Sequence, residues 1–223
     1  MKSLLTVITP SDTYDLTILA TVKSEFGISD SDTSQDENLT RWIHEASANI
    51  AGVCKRVFAE EILSEVFRRP DCRVDNLILR PNRRPVSSVT SVTEDGVALT
   101  TDEYEVDYAT GVIYRLDTTG YRMGWYYCYD RITVVYTAGY FLLNDLPYDI
   151  ERAAIRLVKH FYSARGSGGS SAGGDLKVVD VPGVVRREWE TRSDNFQPNP
   201  NAPPSLPSDV MTLLGPYIIP AFY

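Results

Sequence analysis

ITVVYTAGYFLLNDLPYDIERAAIRLVKHFYSAR, residues Ile132 to Arg165, changes its hydrophobic period halfway along, and that change decides the fold. ITVVYTA is rich in β-branched residues and predicts a strand. Gly139 lets the chain turn sharply behind it. Asn144 or Asp145 then offers a cap oxygen, and Pro147 sits where a first helical turn tolerates it. Ile150, Ala153, Ala154, Leu157, Val158 and Phe161 follow at three- and four-residue spacings, which lines one face of a helix. Asp149 and Glu151 favour its start, Lys159 and Arg165 its end, as the helix dipole requires. Such a helix needs a helical partner, and GSGGSSAGG, directly after Arg165, cannot supply one.

The partner lies far back in the chain. From about Asp36 to Val57, Leu39, Ile43, Ala46, Ile50, Val53 and Val57 share one helical face, with Asp36 and Glu37 at its start and Lys55 and Arg56 at its end. Before it, Ser11 and Asp12 offer caps to a shorter helix, from about Tyr14 to Phe26, which Gly27 closes. SDSDTSQDEN forms a polar, acidic turn between the two.

Between Phe58 and Tyr140 the period falls to two. EILSEVF, NLILR, VSSVTSVTEDGVAL, YEVDYATGVIYRL and RITVVYTAGY are short, rich in Val, Ile, Thr and Tyr, and separated by turn residues. They predict an antiparallel meander or small sandwich, with tight turns at Glu94-Asp95-Gly96 and Ala109-Thr110-Gly111. GWYYCYD, Gly124 to Asp130, fits a strand or an aromatic loop equally. The fold class is therefore α+β: a small helical bundle with an inserted antiparallel β region and a long extended C-terminal arm. Its segments are the N-terminal helices, 1–57; the inserted β region, 58–140; the core helix, 141–165; and a flexible linker with the arm, 166–223.

The arm has its own grammar. GSGGSSAGG is a tether by composition. DLKVVDVPGVVRREWE, Asp175 to Glu190, carries enough Val and Trp to dock as an extended strand, and TRSDNFQPNPNAPPSLP is open chain with polyproline tendency. SDVMTLLGPYIIPAFY closes the sequence with a helical turn or two, Ser208 to Leu214, and an apolar, aromatic end. Apolar ends of this kind mark contact sites. Tyr217, Ile218, Ile219, Phe222 and Tyr223 are accordingly candidate interface residues, together with Arg186, Arg187 and Trp189. On this division, removing everything after about Gln197 is expected to leave a folded domain that assembles poorly.

The chemistry of the chain is sparse. Its 223 residues are 43% hydrophobic and 23% charged, enough for a sizeable core. A formal net charge of −8 argues against a protein that grips nucleic acid through its phosphates. Three cysteines without a CxxC pair point to a reducing compartment and no disulfide framework. There is no signal peptide pattern and no apolar run long enough to span a membrane. The two histidines, His44 and His160, lack an i+4 partner or nearby Cys, so they read as helix-packing or surface residues rather than ligands. No nucleophile elbow or phosphate loop is present, and acidic neighbours such as Asp102/Glu103 and Asp36/Glu37 read as solvated turns and caps, so no catalytic, cofactor-binding or metal residue is assigned. Arg83-Arg84 and Arg186-Arg187 are the basic spots, and within an acidic chain they read first as ion-pair or subunit contacts.

RPVSSVTSVTEDGVAL with YEVDYATGVIYRL, then ITVVYTAGY, then LPYDIERAAIRLVKHFY give an ordered combination that resembles the head–tail connector, or adaptor, proteins of tailed bacteriophages and gene transfer agents. DENLTRWIHEASANIAGVCKRVF is similar to that family's opening helices, and SLPSDVMTLLGPY to its C-terminal tail. The resemblance implies a non-enzymatic virion protein of the neck, made in the host cytoplasm and assembled as a homo-oligomeric, dodecameric ring. It further implies the portal protein on one side, a stopper or tail protein on the other, and DNA passing through the lumen without specific binding. It implies neither cofactor nor membrane. The alternatives are another neck or tail-completion protein, or a carbohydrate- or protein-binding module built on the tyrosine-rich β region. A cell-wall hydrolase has the least support.

Overall fold

A computed structural model of the chain describes residues 2–68, 78–125, 132–142, 144–167, 178–181, 185–188 and 206–219. The protein is α+β and holds two apolar cores, one helical and one between sheets.

The helical core grows from the two amphipathic faces seen in the sequence. Helix α1 spans Leu19–Phe26, α2 Asp36–Cys54 and α3 Tyr148–Ser167. Leu39, Ile43, Ala46, Ile50 and Cys54 of α2 and Ile150, Ala153, Ala154, Leu157 and Val158 of α3 are buried in one cluster. Each large aliphatic side chain so buried contributes about 1.5–3 kcal/mol. Tyr162 closes one side, its ring 5.3 Å from Phe26 and 6.1 Å from Trp42.

Helix α1 begins at Leu19, later than the sequence suggests, and Ile18 rather than Ser11 or Asp12 precedes its first turn. The cause is tertiary. Leu16 and Thr17 are buried, and the Leu16 N–H donates to the Ser47 hydroxyl at 3.0 Å, which draws this segment out of helical geometry. Gly27 closes the helix in the left-handed region.

A five-stranded antiparallel sheet has the order β1-β2-β9-β4-β5, with β1 Lys2–Thr9, β2 Glu61–Arg68, β4 Val86–Glu94, β5 Val97–Ala98 and β9 Ile132–Ala138. Strand β9 shows the period of two plainly: Ile132, Val134, Tyr136 and Ala138 are buried and the residues between them half-buried. A smaller sheet has β7 (Val112–Leu116) between β3 (Ile78–Leu79) and β6 (Tyr104–Asp107), and β8 (Arg122–Met123) also pairs with β7. Leu79, Ile113 and Trp125 join Leu63, Phe67, Val92 and the β9 residues in one cluster between the sheets. Trp125 lies there with its indole N–H on the Ile113 carbonyl, 3.3 Å away. Residues 126–130 of the GWYYCYD stretch lie outside the described residues.

Strand β1 is an element that the sequence left unassigned. It pairs antiparallel with β2 from Lys2↔Arg68 to Thr9↔Ile62 and forms one edge of the larger sheet.

The two cores meet behind β9. The Gly139 N–H donates to the Pro85 carbonyl at 2.9 Å, the Tyr140 N–H to the Phe58 carbonyl at 2.7 Å, and the Glu60 N–H to the Tyr140 carbonyl at 3.0 Å. Gly139 has φ +116°, and a Cβ there would lie 2.2 Å from the Ala59 carbonyl oxygen. Only glycine permits this approach.

The chain end returns to the helical core. Leu206, and Val210 and Leu214 of α4 (Ser208–Leu214), are buried beside α3. Residues 206–219, which fall within the expected arm of 166–223, pack with the bundle. Strands β10 (Val178–Val181) and β11 (Val185–Glu188) form an antiparallel two-stranded hairpin where one extended strand was expected. Residues 168–177, 182–184 and 189–205 lie outside the described residues.

Candidate interaction surfaces

The loop between β3 and β4 is held from the inside by a buried carboxylate. Glu65, on β2, is fully buried and accepts hydrogen bonds from the Tyr136 hydroxyl at 2.7 Å and the Asn82 N–H at 3.0 Å. The Ser3 hydroxyl of β1 and the Asn82 side-chain amide also donate to it. Burial, with the neighbouring Glu65 charge, pushes the Tyr136 phenol well above its ordinary value, so it stays a donor. The Arg83 N–H donates to the Tyr136 hydroxyl at 3.4 Å. One polar cluster thus fixes β1, β2, β9 and the loop to each other.

The outer side of that loop carries a basic groove of about 530 Å³, lined by Arg56, Arg80, Arg84, Tyr108, Thr110 and Tyr140 among others. Among the described residues no carboxylate lines it. Arg56 follows α2, donates from Nη2 to the Arg84 carbonyl at 2.6 Å, and lies 5.9 Å over the Phe58 ring. Arg84 packs its aliphatic stem on Gly111, where a Cβ would approach Arg84 Cγ and Cδ to 3.2 Å. Among the described residues the ion pairs engage Lys23, Arg115, Arg122, Arg152, Arg156 and the histidines, and none engages these three arginines. The groove is a cationic recess on an acidic protein.

A second cleft, of about 380 Å³, lies between residues 12–16, α2 and residues 57–59. It holds His44 and Asp15, whose Nδ1 and Oδ1 are 2.6 Å apart, with Ser47 close by. The three residue types are those of a nucleophile, base and orienting acid. The chemistry does not follow, because the Ser47 hydroxyl donates to the Ile43 carbonyl at 2.7 Å and accepts from the Leu16 N–H. Ser47 is buried, and its hydroxyl fastens the segment before α1 onto α2. Among the described residues no group of three His, Cys, Asp or Glu side chains converges as a metal site needs.

The candidate interface residues fall in different places. Tyr217 and Ile218 pack partly buried against the helical core, Tyr217 with its ring 6.5 Å from Phe58. Burial, followed by the charges of Asp149 and Tyr140, raises the Tyr217 phenol above its ordinary value. Ile219 donates its N–H to the Cys54 carbonyl at 3.2 Å and leaves its side chain exposed. Arg186 and Arg187 sit on β11, opposite Asp180 and Val179. Trp189, Phe222 and Tyr223 lie outside the described residues.

Two surfaces escaped the sequence reading. Arg56, Arg80 and Arg84 are too far apart in sequence to signal a groove: Arg56 reads as a helix end and Arg84 as half of the Arg83-Arg84 pair. The edge strand β1 exposes Leu4, Val7 and Ile8. Its signal was the run LLTVI, short of a full alternating pattern.

The chain matches the model of a family described as "Head completion protein" over residues 16–178. No curated protein matches it. Among solved structures, a chain from the neck of a native gene transfer agent particle, computed with C12 symmetry, superposes with a TM-score of 0.54 at 15% identity. The match covers 99% of this chain and 97% of that one. A chain from the neck of the empty particle, computed with C6 symmetry, gives the same TM-score, identity and coverage. These likenesses establish a shared fold. No described helix is long and apolar enough to cross a membrane.

Proposed function

The chain belongs to the head completion protein family, and from that premise we propose that it is a non-enzymatic subunit of a virion neck, assembled as a ring of identical copies between portal and tail. The observation that carries this reading is the family match over residues 16–178, joined to a fold shared end to end with chains of a gene transfer agent neck. Twelve copies suit the C12 symmetry under which that neck was computed. The portal lies on one side of the ring and a stopper or tail component on the other.

The surface supports assembly. Strand β1 is the edge of its sheet and exposes Leu4, Val7 and Ile8, a combination that invites pairing with another chain. A net charge of −8 suits a lumen through which DNA passes without adhering. The committed Ser47 hydroxyl in the His44–Asp15 cleft favours a structural over a hydrolytic role.

The test is to tag the chain in assembling particles and locate the tag by electron microscopy. The expected position is the junction of head and tail. A tag found on the capsid shell or the tail tip, or absent from finished particles, overturns the reading.

A further inference from the structure

A ring is built from heterologous contacts, so each subunit must carry two different surfaces that fit one another. On an acidic chain the scarce surface is the positive one. The Arg56–Arg80–Arg84 groove is such a surface: recessed, lined by no carboxylate among the described residues, and held in shape by the Glu65 cluster beneath its loop.

Its complement lies at the other end of α2. The turn between α1 and α2 exposes Asp30 and Asp32, and Glu37 is exposed in the first turn of α2. The turn is not slack. Lys23 is buried, pairs with Asp36 at 2.8 Å and donates to the Asp30 carbonyl at 3.2 Å, while the Ser34 N–H donates to Asp32 at 3.0 Å. Hydrogen bonds from the Ser34 hydroxyl and N–H hold the Asp32 carboxyl below its ordinary value, which favours its charged form.

Helix α2 runs 19 residues, which sets its ends about 28 Å apart at 1.5 Å per residue. Arg56 lies two residues beyond one end and the acidic turn precedes the other. One subunit cannot close that distance on itself. A second copy can.

We infer that the arginine groove receives the acidic turn, residues 29–37, of a neighbouring copy of this chain, and that this contact sets the head-to-tail direction of the ring. The inference rests on the ring reading above. Arginine forks and carboxylates form two-point hydrogen bonds, which fix orientation as well as adding attraction. A nucleic-acid phosphate is the competing anion; the net charge of −8 works against either partner, and what favours a copy of the chain is that it brings carboxylates on a hydrogen-bonded turn of fixed shape.

The test uses full-length protein and two charge reversals, R80E/R84E in the groove and D30K/D32K in the turn. Arg56 is left in place because it braces the Arg84 carbonyl. Circular dichroism and thermal unfolding first establish that both variants fold. Self-association is then followed by sedimentation velocity at low and moderate salt, with and without portal. Each variant alone is expected to assemble at least tenfold more weakly than wild type. An equimolar mixture is expected to recover assembly, because a reversed groove then meets a reversed turn and each remaining native groove meets a native turn. Wild-type assembly by R80E/R84E, or no recovery on mixing, overturns the inference and leaves the ring standing. Loss of binding to a short DNA duplex without loss of assembly also overturns it, and gives the groove to phosphate. A wild-type protein that stays monomeric with portal present removes the ring reading itself.

Discussion

Leu214→Ala is the perturbation that best separates a docked chain end from a free arm. Leu214 and Val210 lie fully buried on α4 within the helical core, and Leu206 joins them just before the helix. Truncating a buried Leu to Ala removes its transfer energy and leaves a partly collapsed cavity, a loss of about 2–5 kcal/mol. Against a typical stability of about 5–15 kcal/mol that is a large fraction. Urea unfolding followed by tryptophan fluorescence and circular dichroism reads the change as a lower midpoint at unchanged slope. Ile150→Ala, at a fully buried site on α3, gives the expected size of effect, and Tyr148→Ala, at a position 83% exposed, is the surface control. The control is expected within about 0.5 kcal/mol of wild type. Deleting residues 206–223 strips cover from α3 and is expected to destabilise at least as much as Leu214→Ala. A Leu214→Ala protein that unfolds with the control, while Ile150→Ala does not, refutes the docking of α4.

Glu65→Ala orphans the buried Tyr136 hydroxyl, at about 1–3 kcal/mol, and removes the acceptor of the exposed Asn82 N–H, which water can replace; a stability within about 0.5 kcal/mol of wild type contradicts the buried cluster. Gly139→Ala brings a Cβ to 2.2 Å from the Ala59 carbonyl and is expected to yield insoluble or grossly destabilised protein, whereas a soluble variant with the wild-type midpoint shows that the junction is looser than described. Burial pushes the Cys54 thiol from its ordinary 9.0 up to about 11. The folded state therefore keeps a proton that the unfolded chain releases, and the stability this gives is full below pH 9.0 and lost between there and about 11. With Cys72 and Cys128 changed to Ser, native Cys54 is expected to react with a thiol reagent at pH 8 about a hundredfold more slowly than the unfolded chain. Equal rates would contradict its burial.

Helices α2 and α3 were legible because each carries its whole pattern locally: apolar residues at helical spacing, acids at the start, and Gly139 and Pro147 marking the way into α3. The hairpins at Asp95-Gly96 and Gly111 were legible because turn chemistry is local too. Both turns take the left-handed backbone that these residues favour. What the sequence did not show depends on partners far away. Strand β1 exists because β2, some sixty residues on, offers an edge and a register. Helix α1 starts at Leu19 because Leu16 and Thr17 are claimed by α2 and α3: the Leu16 N–H bonds Ser47, and the Thr17 hydroxyl donates to Glu151 at 3.5 Å. The helix at Ser208–Leu214 is legible locally, but its docking is a tertiary fact. The groove is another. Arg56, Arg80 and Arg84 converge only once β4 is bonded to β9 and α2 ends where it does.

Native mass spectrometry of the purified chain, alone and mixed with its portal, tests the central claim most directly. Twelve copies of a 25.0 kDa chain give a closed species of about 300 kDa, and a ring subunit shows that species or a complex of matching stoichiometry on the portal. A 25.0 kDa monomer at every concentration, indifferent to portal, contradicts it.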